Sequence, residues 1–476
     1  MKTRLFCALC ALPLLCFADG LPDLGDTSQA LIPPQQERAI GEQIMQEVRA
    51  DGSYLDDPEV NDYLNQLGYQ LAANSTEPSL GFEFAAINDS AINAFSLPGG
   101  FIFVNTGLIL LTQSESELAS VLGHEIAHAT QHHVIRMIAG QKIDSLAALA
   151  SLALAILAAR SNPDMAQAAI IGSQAASIQR QLNFSRDNER EADRLGLTVL
   201  QKSGFDAYAM PAFLQRMQKA SRLFDSGAVP SYLRTHPVTS ERVSDIANRV
   251  QNTKFKLVES SLSYYLVRAK IQATQKTRRE ALAYFDDAVA TQKGNQIAQR
   301  YGLTLALLRN DQPQRAAETF EPLKNMVTQN PMIATLAGEV RRKNGDDNAE
   351  LTAFYRSALQ NFPQHRALVY NYVDLLLDTG RNADALKLLN TQILAHPDDA
   401  DLYDRQARTY AAMGDRQREH HALSHAYALI GALNEAVLQL ELAKRAGKDF
   451  YQLSEIESEL KQYREILDAL KEEQGK

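Results

Sequence analysis

Residues 124–128 read His124-Glu125-Ile126-Ala127-His128, and the meaning of the pattern depends on the backbone that carries it. Ahead of it, Ser114-Glu115-Ser116-Glu117 has the form of a capping box, a hydroxyl residue followed three positions later by a carboxylate. Leu118, Val121 and Leu122 continue at helical spacing. The segment is therefore expected inside a long helix. There, His124 and His128 stand four residues apart, so both imidazoles leave one face and can grip a single ion. Glu125 lies about 100° around the same helix, unsuited to be a third ligand but placed to reach a water held by that ion. A hydrolytic zinc site needs three protein ligands, an open position for water and a base for the water's proton. These five residues supply two ligands and the base.

A third ligand is offered downstream. Asn188-Glu189-Arg190-Glu191-Ala192-Asp193-Arg194-Leu195-Gly196 belongs to a helix expected from about Asp187 to Lys202. Glu189 and Asp193 share a face with the small residues Ala192 and Gly196, which lets that face approach the first helix closely. Glu191 points about 200° away. Glu189 is thus the expected metal ligand, with Asp193 orienting a ligand histidine from behind. With no cysteine beyond residue 16, thiolates drop out of the ligand set.

The remaining chain divides by composition. Lys2 and Arg4 precede an apolar run, Leu5 to Phe17, that is too short to span a bilayer, so residues 1–18 read as a cleaved export signal. Residues 19–36 read as an extended lead-in. Glu37 to Ala73 has helical periodicity, and strands are expected at Phe82 to Asn88 and Phe101 to Asn105, separated by Pro98-Gly99-Gly100. The second strand is read as an open edge that could hold an extended substrate beside Pro98, Gly99 and Gly100. Residues 145–178 are Ala-rich. Two readings stand for them: buried helices, or a hairpin that covers the cleft or makes peripheral contact with a membrane surface.

From about Val258 the character changes. Gly345, Gly380 and Gly414 recur at spacings of 35 and 34, and Pro331, Pro363 and Pro397 at 32 and 34. Such spacing suits helix-turn-helix repeats, with glycine at the turn and proline ending the second helix. The fold expected is mainly α: a zincin-like α+β metallopeptidase domain over 37–255, then tetratricopeptide-like repeats over 256–476. His420, His421 and His425 fall on one repeat helix with no carboxylate pattern beside them and read as solvent-facing. His132 and His133 are expected to continue the 124–128 helix by one turn.

Together, His124-Glu125-x-x-His128, Glu189-x-x-x-Asp193 and Asn93-Ala94-Phe95-Ser96-Leu97-Pro98-Gly99-Gly100 resemble the zinc peptidases that include the CAAX prenyl proteases, HtpX and the periplasmic BepA-type proteases. The resemblance implies one zinc ion per chain on His124, His128 and Glu189, with Glu125 as general base. It also implies that His236, in Thr235-His236-Pro237, lies near the metal, where it either supports the transition state or closes the resting site. Arg242 pairs with Asp193 or binds substrate carbonyls. By the same resemblance the chain is a periplasmic endopeptidase and chaperone for misfolded or stalled outer-membrane proteins, its repeats recruiting clients or the β-barrel assembly machinery. The formal charge of −9, without a basic cluster, argues against nucleic acid as a partner. The competing class is a non-catalytic, zinc-bearing chaperone or scaffold. Glu125 speaks against it, because a structural ion does not need a base.

Overall fold

Phe101-Ile102-Phe103-Val104 is apolar at every position, which suits a strand covered on both faces. The computed structural model describes residues 32–50, 52–138, 186–223, 232–233, 236–251, 253, 256–447 and 449–474; the expected export signal and the Ala-rich stretch at 145–178 lie outside them. Three strands, β1 (Glu83–Ile87), β2 (Ala94–Ser96) and β3 (Phe101–Asn105), form one sheet in the order β1-β3-β2. β3 runs parallel to β1, with Phe84 opposite Ile102, and antiparallel to β2, with Phe95 opposite Phe103. One face, carrying Phe84, Ala86, Ile102 and Val104, packs with Leu64 and Leu67 and with Leu118 and Leu122. The other, carrying Ala85, Phe101 and Phe103, packs with Ile40 and Ile44 and with Val134 and Ile135.

The strand after Pro98-Gly99-Gly100 is therefore central, not the open edge expected. On the far side of β1, the amides of Asn61 and Asn65 close the edge: Asn65 Nδ2 donates to Phe84 O at 2.8 Å, and Asn65 Oδ1 and Asn61 Oδ1 accept from Phe84 N and Ala86 N. Among the described residues, β2 is the edge left over.

The helical pattern of 37–73 is two helices, α1 (Pro34–Ala50) and α2 (Pro58–Ala72). Pro58 starts the second, and the Asp57 side chain caps it by accepting from Glu59 N and Val60 N. After β3 come α3 (Thr106–Leu111), α4 (Glu115–Thr130) and α5 (His133–Ile138). Ser114 caps α4 as expected, but Glu117 reaches past it to Gln113 N, so the reciprocal half of the box is displaced by one residue. His132 adopts a left-handed φ of 48°, so α4 stops at Thr130 and the helix does not carry on through His132 and His133. Helices α6 (Arg186–Lys202), α7 (Ala209–Leu223) and α8 (Ser240–Val250) follow.

The C-terminal half is an array of paired helices: α9 (Leu262–Gln275), α10 (Arg278–Ala290), α11 (Gln296–Arg309), α12 (Pro313–Phe320), α13 (Pro331–Lys343), α14 (Asn348–Asn361), α15 (Arg366–Asp378), α16 (Asn382–Ala395), α17 (Ala400–Met413), α18 (Arg416–Leu429), α19 (Leu433–Ala446) and α20 (Phe450–Gln474). Gly345, Gly380 and Gly414 turn the chain with φ of 80°, 70° and 79°. Pro363 and Pro397 stand just beyond α14 and α16, whereas Pro331 opens α13.

The array is joined to the first half by a shared core and by buried charge. Tyr264, Leu266 and Tyr301 share one apolar cluster with Leu64, Leu108 and Leu118. Glu59 on α2 accepts from Lys270 on α9 at 2.7 Å and lies 2.9 Å from His365 Nε2. Burial works to raise the Glu59 carboxyl, but Lys270 and the contact with His365 hold it at about 2, against 4.5 for an ordinary glutamate. Its contribution to stability is therefore complete above about pH 4.5 and is lost as pH falls through about 2. Glu59→Gln is expected to destabilise the protein by about 3 kcal/mol near pH 7, the scale for leaving a buried partner charge unpaired. In unfolding measurements from pH 7 towards pH 2, the gap between parent and variant should close; a gap that stays constant would count against this docking charge.

Candidate metal centre

α4 and α6 cross in backbone contact. A Cβ on Gly196 would lie 2.9 Å from His124 N, and one on Gly123 would lie 3.1 Å from Gly196 O. With Ala192 buried at the same crossing, the helices meet where the sequence supplies no bulk. Every residue of α4 is buried, so its polar side chains must find partners inside the protein.

They find each other. His124 Nε2 and His128 Nε2 are 3.0 Å apart, and each lies 3.5 Å from a Glu189 carboxylate oxygen. His236 Nδ1 stands 3.3 Å from His124 Nε2 and 3.1 Å from Glu189 Oε1. A ring nitrogen has one hydrogen or one lone pair, so it cannot make linear hydrogen bonds to several neighbours at once. Four donors held tetrahedrally at zinc-like distances would be separated by about 3.3–3.6 Å. The observed set fits a single divalent ion.

Beside it, Glu125 Oε1 is buried without a hydrogen-bond partner and lies 3.4 Å from His236 Nε2. An unsatisfied carboxylate oxygen is costly in such a place unless a proton or a water comes to it. This arrangement, three imidazoles and a carboxylate facing one point with a second carboxylate alongside, can hold a cation and abstract a proton next to it.

The sequence profile of peptidase family M48 matches residues 58–250, which contain all of these groups. A tetratricopeptide-repeat profile matches residues 349–409. The chain is 30% identical over 433 residues to the beta-barrel assembly-enhancing protease of Escherichia coli (strain K12), covering 90% of this chain and 88% of that one. It is 31% identical over 426 residues to the protein of the same name from Yersinia pestis, covering 89% and 87%. The chain belongs to the beta-barrel assembly-enhancing proteases of peptidase family M48. A more distant relative, mitochondrial metalloendopeptidase OMA1 of Arabidopsis thaliana, is 29% identical over 228 residues, 48% of this chain and 44% of that one. This is a metalloendopeptidase, and its buried His124, His128, Glu189 and His236 form a group that could hold a metal ion.

A second layer fixes those donors in the peptidase. Asp193 Oδ1 lies 3.1 Å from His124 Nδ1, and Arg242 donates to both Asp193 oxygens at 2.7 and 2.8 Å. Arg242 Nη1 also lies 2.8 Å from Glu189 Oε2. Of the two roles expected for Arg242, the structure displays the pairing with Asp193. Burial opposes charge on both carboxylates. Nevertheless His236 and His124, with Arg242 behind them, hold Glu189 well below the ordinary range, and Arg242 and His124 hold Asp193 low. Both are thus anionic, as cation binding requires. Burial alone would depress His124, but its bonds to Asp193 and Glu189 lift it to about 10, whereas burial keeps His128 well below its ordinary value.

Some neighbours were not visible in the sequence. The turn at His132 brings His133 Nδ1 to 2.8 Å from His128 Nδ1, and the far side of the His133 ring meets Glu191 at 3.3 Å. His132 instead bonds Glu37 at 2.8 Å. Tyr232 packs its ring 4.8 Å from that of His236 and accepts from His236 N at 2.7 Å. Pro98, Gly99 and Gly100, expected at a substrate edge, are buried instead; Gly99 N donates to Glu37 Oε1 and Gly99 O accepts from Arg38. They brace α1 rather than line an open groove.

The crossing yields a test. Gly196→Ala must push His124 and Glu189 apart, and overpacking of this kind costs about 1–3 kcal/mol. The variant is expected to unfold at lower temperature and to release its metal to a chelator faster than the parent. Loss of stability with unchanged metal release would separate the crossing from the site.

Proposed function

We propose that the chain is a periplasmic zinc endopeptidase that cleaves outer-membrane polypeptides which have misfolded or stalled during assembly, with its repeats engaging clients or the assembly machinery. The observation that carries this reading is the convergence of His124, His128, Glu189 and His236 next to a Glu125 oxygen that accepts no hydrogen bond. The names of the relatives in Escherichia coli and Yersinia pestis support the assembly role. The two-imidazole, one-carboxylate set suits zinc, with one ion at this site.

In this reading His124, His128 and Glu189 hold the ion, which when bound supplies positive charge to acidify water and polarise a peptide carbonyl. Glu125 takes the water's proton at its free oxygen and passes it to the departing amine. Asp193 and Arg242 keep the His124 ring in place and Glu189 ionised, while His133 backs His128. With an ion bound, His236 would offer a fourth donor, its Nδ1 lying 3.3 Å from His124 Nε2 and 3.1 Å from Glu189 Oε1; this supports the closing role among the two expected for it, and the ring would have to withdraw for substrate to enter. An extended substrate strand then adds to β2, the remaining edge, which packs beside α4; backbone pairing reads shape rather than sequence, as a quality-control protease needs.

The full chain after removal of residues 1–18, assayed for zinc content and casein cleavage, tests the proposal. Glu125→Gln is expected to keep its zinc and lose at least about 10²-fold in turnover, the scale of a general base. His236→Ala should cleave faster than the parent. If parent and Glu125→Gln bind zinc alike and neither cleaves, the scaffold reading replaces this one; a slower His236→Ala would return that residue to transition-state support.

A further inference from the structure

The imidazoles of His421 and His425 on α18 do not face solvent alone. Both turn towards α20, where Glu459 lies 2.9 Å from His421 Nε2 through Oε2 and 3.4 Å from His425 Nε2 through Oε1. The two Nε2 atoms are 3.2 Å apart. His420, their neighbour, bonds Gln439 instead and takes no part. The expectation that this histidine run lacks a carboxylate is thus corrected by a residue 34 positions beyond His425.

The three distances, 2.9, 3.2 and 3.4 Å, lie at or somewhat below the edges of a zinc tetrahedron, about 3.3–3.6 Å, as do the 3.0–3.5 Å spacings of the catalytic set. His421 Nε2 also faces both Glu459 Oε2 and His425 Nε2, so one ring nitrogen points at two partners. The ring of His425 is fixed by stacking on Tyr403, 5.1 Å between centroids and 19° between planes, which limits what must be ordered on binding. Exposures of 18%, 31% and 19% for the side chains of His421, His425 and Glu459 leave a path for the ion and room for water at a fourth position.

We propose that His421, His425 and Glu459 form a second divalent-cation site, of the zinc class, that clamps the C-terminal helix α20 onto the repeat helix α18. The clamp lies close to the catalytic half: Gly431, just past α18, packs on Gln46 of α1, and Arg49 donates to Leu429 O. An ion there ties the last helix to the face of the array that meets α1.

The full chain without residues 1–18, stripped with a chelator and re-equilibrated with Zn²⁺ alone, is counted by native mass spectrometry. Two ions per chain are expected. His421→Gln/His425→Gln should hold one, and Glu459→Gln should bind its second ion more weakly by at least the roughly ten- to hundred-fold that even an outer-sphere partner contributes. His124→Ala/His128→Ala should still bind one ion and still gain thermal stability with Zn²⁺, whether or not the catalytic reading holds. If the parent binds one ion and His124→Ala/His128→Ala none, or if the α18 and α20 variants bind as many ions as the parent with unchanged affinity, the second site does not exist.

Discussion

Two helices cross with nothing but hydrogen between their backbones, and the chemistry of the protein depends on that contact. Gly123 sits one residue before His124, and Gly196 lies two turns after Glu189 on the facing helix. Only at this closeness can a short carboxylate side chain on α6 reach two imidazoles on α4. The same crossing brings Asp193 behind His124 and lets one guanidinium, Arg242, bind Asp193 and Glu189 together. The C-terminal array secures the start of α4: Glu115, its first residue, accepts from Ser261 N and Oγ, both at 2.7 Å. Repeats and site are thereby mechanically joined, since movement of α9 must load the helix that carries the ligands.

Burying so much charge has a defined logic. Two carboxylates, three imidazoles and an arginine would be costly inside a protein if any were left alone. With Glu125 the site holds a third buried carboxylate; the arginine balances one of the three, and a bound divalent ion would offset the other two. Removing water from the site strengthens each interaction in it, which favours binding of an ion.

What the sequence disclosed was local and periodic. The helical phase of Glu189, Ala192, Asp193 and Gly196 set Glu189 apart from Glu191, and the structure has Glu189 beside His124 and His128 and Glu191 on the other side, against His133. The glycine spacing in the second half disclosed repeats. What it hid depended on partners far along the chain. The central position of β3 follows from the β1 pairing and from amides on α2, which no window around Phe101 contains. The break at His132 is a single left-handed residue with no glycine to announce it. Helical periodicity ran unbroken from Glu37 to Ala73 because the helices on either side of Pro58 both bury apolar faces. The partner of His421 and His425 comes from α20, so a search for carboxylates on the histidines' own helix could not find it.

The position of the catalytic ion is the most direct test of this chemistry. Anomalous diffraction at the zinc absorption edge, from crystals of the zinc-loaded chain, measures that position without reference to activity. A strong peak is expected, bonded at about 2.0–2.2 Å to His124 Nε2, His128 Nε2 and a Glu189 oxygen, with Arg242 still joined to Asp193. An ion held by the two imidazoles while Glu189 is turned away to Arg242, or no ion between α4 and α6, would contradict it.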